Sequence, residues 1–148
     1  MFTIAVCDDD MQERMQEVQI VKNIFSQKEL EAGIEEFQTG QHFLDVLHRV
    51  PYDIVLLDIQ MGEVSGFTLA EELYKITGGE NIIFVSSMEN LVFESIHFRP
   101  FRFVRKSHLE EELTEAVESW IQQNTKTECL EFDETGGVTT ILPQQEII

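Results

Sequence analysis

Three near-continuous apolar runs, each halted by carboxylates or hydroxyls, constrain this chain more than anything else in it. Phe2 to Cys7 runs into Asp8, Asp9 and Asp10. Asp53 to Leu57 runs into Asp58, and Asn81 to Val85 runs into Ser86 and Ser87. A strand with one wet face alternates apolar and polar residues. An unbroken run instead predicts a strand buried on both faces, as in a parallel sheet covered by helices. Two weaker strands are expected at Gly33 to Phe37, where Glu35 and Glu36 interrupt the run, and at Phe101 to Val104 between Pro100 and Lys106.

Amphipathic stretches separate these runs. Asp10 to Ser26 carries Met11, Met15, Val18 and Phe25 near helical spacing, with acidic residues at its start that suit the helix dipole. Gln41 to Arg49 sets Phe43, Leu44 and Leu47 on one face. Phe67 to Ile76 turns Leu69, Ala70, Leu73 and Ile76 inward and closes at Gly78-Gly79. Leu91 to Ile96 reads as a short helix. Ser107 opens the last long helix with a capping box, Ser107-x-x-Glu110, and Leu109, Leu113, Ala116, Val117, Trp120 and Ile121 form its apolar stripe. Five strands alternating with five helices predict an α/β fold: a doubly wound, five-stranded parallel sheet with helices on both faces. Residues 126–148 break the alternation. Cys129 to Phe132, Thr135-Gly136-Gly137 and Val138 to Leu142 predict a short β-hairpin. The expected division is a domain over 1–124 and, over 125–148, a linker with the truncated start of a second domain.

Charge narrows the function. The 148 residues hold 10 Lys and Arg against 28 Asp and Glu, a net charge of −18. That argues against gripping nucleic acid or an anionic membrane by charge, and it suits cation binding or a basic partner. No apolar stretch approaches the roughly 20 residues that span a bilayer. Cys7 and Cys129 are too few for a disulfide framework, which predicts a reducing, cytoplasmic setting. His42, His48, His97 and His108 show no ligand spacing and are expected at the surface.

Sites in open parallel sheets form at the carboxyl ends of the strands. Those ends here carry Asp8 and Asp9, Asp58, Ser86 and Ser87, and then Lys106. Carboxylates so close repel one another unless a cation sits among them. Oxygen donors without converging His or Cys point to Mg²⁺, and a lysine beside them suits a phosphoryl group.

Cys7-Asp8-Asp9-Asp10, Leu56-Leu57-Asp58-Ile59-Gln60-Met61, Phe84-Val85-Ser86-Ser87 and Phe103-Val104-Arg105-Lys106 together resemble the receiver domain of bacterial two-component response regulators, over residues 2 to about 122. The stretch Phe98 to Lys106 is also similar to receivers of LytTR-type transcriptional regulators, and 126–148 resembles the first strands of their DNA-binding domain. The resemblance implies a flavodoxin-like (βα)5 fold. It implies that Asp58 accepts a phosphoryl group from a histidine kinase, that Asp8, Asp9, Asp58 and the backbone carbonyl of Gln60 hold Mg²⁺, that Lys106 and Ser86 contact the phosphoryl oxygens, and that Phe103 is a switch aromatic. No further cofactor is implied, nor turnover of an external substrate: the chemistry is Mg²⁺-dependent self-phosphorylation and autodephosphorylation. DNA would be reached only through the missing output domain, and no membrane is involved. Gly62 and Ser107 stand where receivers usually have Pro.

Three rivals are weighed against this. A phosphate-independent interaction module would suit loss of Asp58 or Lys106, and both are present. A Mg²⁺-dependent phosphohydrolase commonly has Asp two residues after its nucleophile, where Gln60 stands. A flavin-binding protein would need a phosphate-cradling loop after the first strand, where three aspartates would repel the phosphate. Four of the ten basic residues (Arg99, Arg102, Arg105 and Lys106) fall in eight positions, beside Glu111, Glu112, Glu115 and Glu118. They either balance the acidic chain or form a face, made by the fourth helix, fifth strand and fifth helix, that pairs two copies on phosphorylation.

Overall fold

A computed structural model describes the backbone of residues 1–132 and the side chains of residues 1–125. Five parallel strands form one sheet in the order β2-β1-β3-β4-β5: β1 (Phe2–Cys7), β2 (Ala32–Phe37), β3 (Ile54–Leu57), β4 (Ile82–Ser86) and β5 (Arg102–Arg105). The helices between them are α1 (Met11–Gln27), α2 (Gly40–Val46), α3 (Gly66–Thr77), α4 (Val92–Ser95, flanked by 3₁₀ turns) and α5 (Leu109–Phe132). The doubly wound α/β expectation therefore holds, and the strand order reverses at β1/β3, where such sheets place their sites.

The apolar runs behave as their composition requires. Every residue of β3 and β4 is buried. Ala5, Cys7, Val55, Leu57, Ile82 and Phe84 pack on one face with Phe43 and Leu47 of the α2 region and Leu69, Ala70 and Leu73 of α3. On the alternate face Ile4, Val6, Ile54, Leu56, Ile83 and Val85 are equally buried. Each such side chain contributes about 1.5–3 kcal/mol. Edge strand β2 tolerates its two glutamates because each finds a partner: Tyr52 Oη donates to Glu35, and Arg14 Nε donates to Glu36 Oε1 at 3.0 Å.

Several local expectations are corrected. In α1 the buried line is Glu17, Val18, Val21, Ile24 and Phe25, while Met11 and Met15 are exposed. On a 100° helical wheel Met15 lies far from the direction that Val21 defines. In α3 Ile76 is half exposed, because the inward line runs Leu69, Ala70, Leu73 and on to Thr77, whose hydroxyl bonds the Leu73 carbonyl and the Asn81 side chain. Gly78 does close α3, at φ +74°. The capping box does not form: the Ser107 hydroxyl faces Glu89 Oε2 (3.2 Å) and His108 Nδ1 (2.9 Å) within a 3₁₀ turn, Lys106–His108. No cis peptide bond occurs among the described residues, so Lys106–Ser107 is trans.

Contacts divide the chain within α5, into Met1–Ala116 and a second unit from Val117. The described part of the second unit is the rest of α5, where Asn124 Nδ2 and Thr125 Oγ1 donate to the carbonyls of Trp120 and Ile121. Cys129 to Phe132, expected as the first strand of the hairpin, is helical. No Gly or Pro stands between Pro100 and Gly136 to break the helix, and extending one costs far less than starting a strand. Residues 133–148, with the rest of that hairpin, lie outside the described residues. No described helix is long and apolar enough to cross a membrane.

Candidate phosphoryl and metal site

The register of the sheet builds the site. Cys7 pairs with Leu57, so the next residues on the two central strands, Asp8 and Asp58, emerge side by side at the switch point. The Asp58 amide donates to the Cys7 carbonyl at 2.9 Å and the Asp8 amide to the Phe37 carbonyl at 3.1 Å. These bonds carry the ladder one step past the last apolar residue and fix both carboxylate-bearing backbones. Asp8 Oδ1 accepts from the Asp10 amide (2.9 Å), and Asp10 in turn caps α1 by accepting from the Glu13 amide (2.9 Å). Arg14 Nη1 donates to the Asp8 carbonyl at 2.8 Å, tying the loop to the helix it starts.

Asp8, Asp9 and Asp58 each bring a carboxylate oxygen within 4.8 Å of the others. Asp8 is fully buried, Asp58 nearly so, and Asp9 exposed. Lys106, 11% exposed, reaches in from the end of β5. Its Nζ lies 2.9 Å from Asp8 Oδ2 and 3.2 Å from Asp58 Oδ2, and it also donates to Glu13 of α1. Burial pushes the Asp58 carboxyl up from 3.8 to about 6; Lys106 pulls it back and Asp8 adds to the rise. Burial alone would lower the Lys106 ammonium, but the bonds to Glu13 and Asp8 more than offset that and raise it.

Glu17, one turn beyond Glu13, is 1% exposed, and burial together with the adjoining Asp8 carboxylate pushes its carboxyl well above the usual range. Burial likewise raises the Cys7 thiol well above its ordinary range, which fits an inert core residue. The resulting cluster has more anionic groups than one ammonium can neutralise, and oxygen atoms are its only donors. Those are the features of a hard divalent cation site, and Mg²⁺ fits them.

The remaining expected residues lie on the loop after β3, on β4 and on β5. Gln60 is exposed in the loop after β3 and lines a groove with Met61, Phe67 and Leu91. Ser86 is buried at the end of β4, where its Oγ accepts from the Met88 amide at 3.0 Å. Phe103 of β5 is partly buried, its ring 6.4 Å from that of Phe84. The four histidines are exposed. Within the basic run Arg102 pairs with Glu115 (3.3 Å) and Arg105 with Glu112.

Sequence reasoning missed Glu13, Arg14 and Glu17. A signal existed: Glu13, Glu17 and Val21 are spaced four apart, which aligns two carboxylates with the buried line of α1.

The chain resembles known proteins in sequence and fold. The chain is 24% identical over 91 residues to the sensory transduction protein LytR of Staphylococcus epidermidis, an alignment that takes in 60% of this chain and 36% of the relative. The chain therefore spans little more than a third of that relative's length. Among solved structures it resembles the response regulator TrrA of Thermotoga maritima, in complex with Mg²⁺ and BeF, with TM-score 0.67, 24% identity, and coverage of 81% of this chain and 99% of that one. It also resembles a CheY-like receiver domain protein of Methanospirillum hungatei JF-1, with TM-score 0.68, 24% identity, and coverage of 85% and 98%. Residues 4–118 match the family described as the response regulator receiver domain, so by sequence and by fold this chain belongs to that family.

Proposed function

We propose that Asp58 is the phosphoacceptor of a LytTR-type transcriptional response regulator. The observation that carries this is the meeting of Asp8, Asp9, Asp58 and Lys106 at the switch point of the sheet. A carboxylate oxygen of Asp58 attacks the phosphorus of a kinase phosphohistidine. An O–P bond forms, the N–P bond breaks, and the electron pair stays on the imidazole nitrogen. Lys106 lies close enough to neutralise charge on the phosphoryl oxygens. Asp8, Asp9, Asp58 and the carbonyl of Gln60 would hold Mg²⁺, which supplies charge neutralisation during transfer. Ser86 would turn its hydroxyl from Met88 toward the phosphoryl group, with Phe103 following into the space released.

The LytTR assignment rests on the likeness to LytR and on the Phe98–Lys106 stretch. On this reading the chain works in the cytoplasm, with a sensor histidine kinase as donor and a DNA-binding output reached through residues beyond 124. The chain turns over no external substrate. Pairing of two copies on phosphorylation would use the α4-β5-α5 face, where Phe93 and Ile96 are exposed. A mass increase by light scattering on phosphorylation would support that pairing, and an unchanged mass would refute it.

The phosphoacceptor reading is tested with beryllofluoride, a phosphoryl mimic. Mg²⁺-dependent binding, followed by ¹⁹F NMR and lost in Asp58→Ala, is expected. A folded protein that binds Mg²⁺ but no beryllofluoride would favour the phosphate-independent interaction module.

A further inference from the structure

Three carboxylates crowd one ammonium: Lys106 Nζ donates to Glu13 and Asp58 and lies 2.9 Å from Asp8 Oδ2 as an ion pair. Asp8 and Asp58 belong to the acidic cluster; Glu13 does not. Its backbone is fixed by the Asp10 cap in the first turn of α1, and its side chain reaches across to the lysine from a position 43% exposed. A phosphoryl oxygen that arrives at Asp58 and seeks Lys106 must therefore compete with these three carboxylates for the ammonium. Glu13 is the cheapest to give up, because its carboxylate can pass to water, whereas Asp8 is fully buried and Asp58 is 9% exposed.

We propose that Glu13 is a positioning residue that holds Lys106 as a place-holder for the phosphoryl group and so restrains phosphoryl acceptance by Asp58. Its carboxylate occupies the bond on Lys106 that a phosphoryl oxygen takes over, and transfer requires the exchange of one anion for the other. The inference rests on the phosphoacceptor reading and adds to it a brake set by α1 of this chain. Arg14, the neighbouring cation of α1, is committed to Glu36 and to the Asp8 carbonyl, so it does not compete for Glu13.

The test follows the rate of adduct formation with a small acyl phosphate donor in Mg²⁺ by intact mass, for wild type, Glu13→Gln and Glu13→Asp. A partly exposed ion pair sets the size of the effect, so Glu13→Gln should accept phosphoryl about three- to fivefold faster. Glu13→Asp keeps the charge but is one methylene too short to hold the bond, so it should accelerate similarly. The acceleration should appear in the maximal rate and should vanish in a Lys106→Met background, which a general change of surface charge or of folding would not do. If wild type is labelled and Glu13→Gln matches it or is slower, the place-holder is refuted while the phosphoacceptor reading stands. Equal acceleration with and without Lys106, or an Asp variant as slow as wild type, would also refute it. If wild type takes up no phosphoryl group, the reading beneath it fails.

Discussion

Replacing Asp58 by Asn should make the metal-free protein more stable, although it removes a bond to Lys106. Asp58 ionises in the fold at about 6 rather than 3.8, chiefly because it is buried. At pH 7.5 the carboxylate is charged in both folded and unfolded chains, and the rise of about 2 units corresponds to about 3 kcal/mol against the folded state. Asn removes that cost. That figure is already net of the attraction of Lys106, which Asn gives up together with the burial cost. The net gain is about 3 kcal/mol, or about 6–12 °C in melting temperature at this size.

The pH dependence carries the sign. A carboxyl whose folded value is raised contributes its stability in full below 3.8 and loses it as pH rises through about 6. Wild type should therefore recover part of the deficit between pH 7.5 and pH 5, and the advantage of Asp58→Asn should shrink by about half over that window. The assay is thermal unfolding followed by circular dichroism in chelator at both pH values. No stabilisation at pH 7.5, or an advantage that grows on acidification, would refute the argument that burial and Asp8 load this carboxylate.

Other outcomes follow from the same site. Mg²⁺ at tenfold excess over its dissociation constant should stabilise wild type by about 1.4 kcal/mol, and clearly less in Asp8→Asn, as melting temperatures with and without chelator would report. Lys106→Met strips three carboxylates of their shared cation and should cost about 3–5 kcal/mol by denaturant unfolding, part of it restored by Mg²⁺. A Cβ at Gly66 would overlap the Asp58 carbonyl oxygen, so Gly66→Ala should cost about 1–3 kcal/mol and slow adduct formation.

The legible parts of this protein are those dictated by burial on two faces. The runs at Phe2, Asp53 and Asn81 declared the central strands because nothing polar interrupts them, and the residues that end those runs declared the site. Parallel register then places Asp8 beside Asp58 with no help from side chains. What the sequence concealed was helix rotation. Met11 and Met15 look like the apolar stripe of α1, yet the fold turns Glu13 and Glu17 toward the site, because Lys106 and Asp8 lie there to receive them. A burial preference read along one helix cannot include partners that arrive from a strand some ninety residues later. The same limit explains Ser107, whose hydroxyl turned to Glu89 in preference to the local box, and the helical Cys129–Phe132.

The central claim, that Asp58 accepts a phosphoryl group, is tested most directly by intact mass after incubation with a small acyl phosphate donor, in Mg²⁺ and in chelator, beside Asp58→Ala. One phosphoryl adduct that requires Mg²⁺ and is absent from the variant is the predicted result. A folded, Mg²⁺-loaded wild type that gains no adduct, or an adduct that persists in Asp58→Ala, would contradict it.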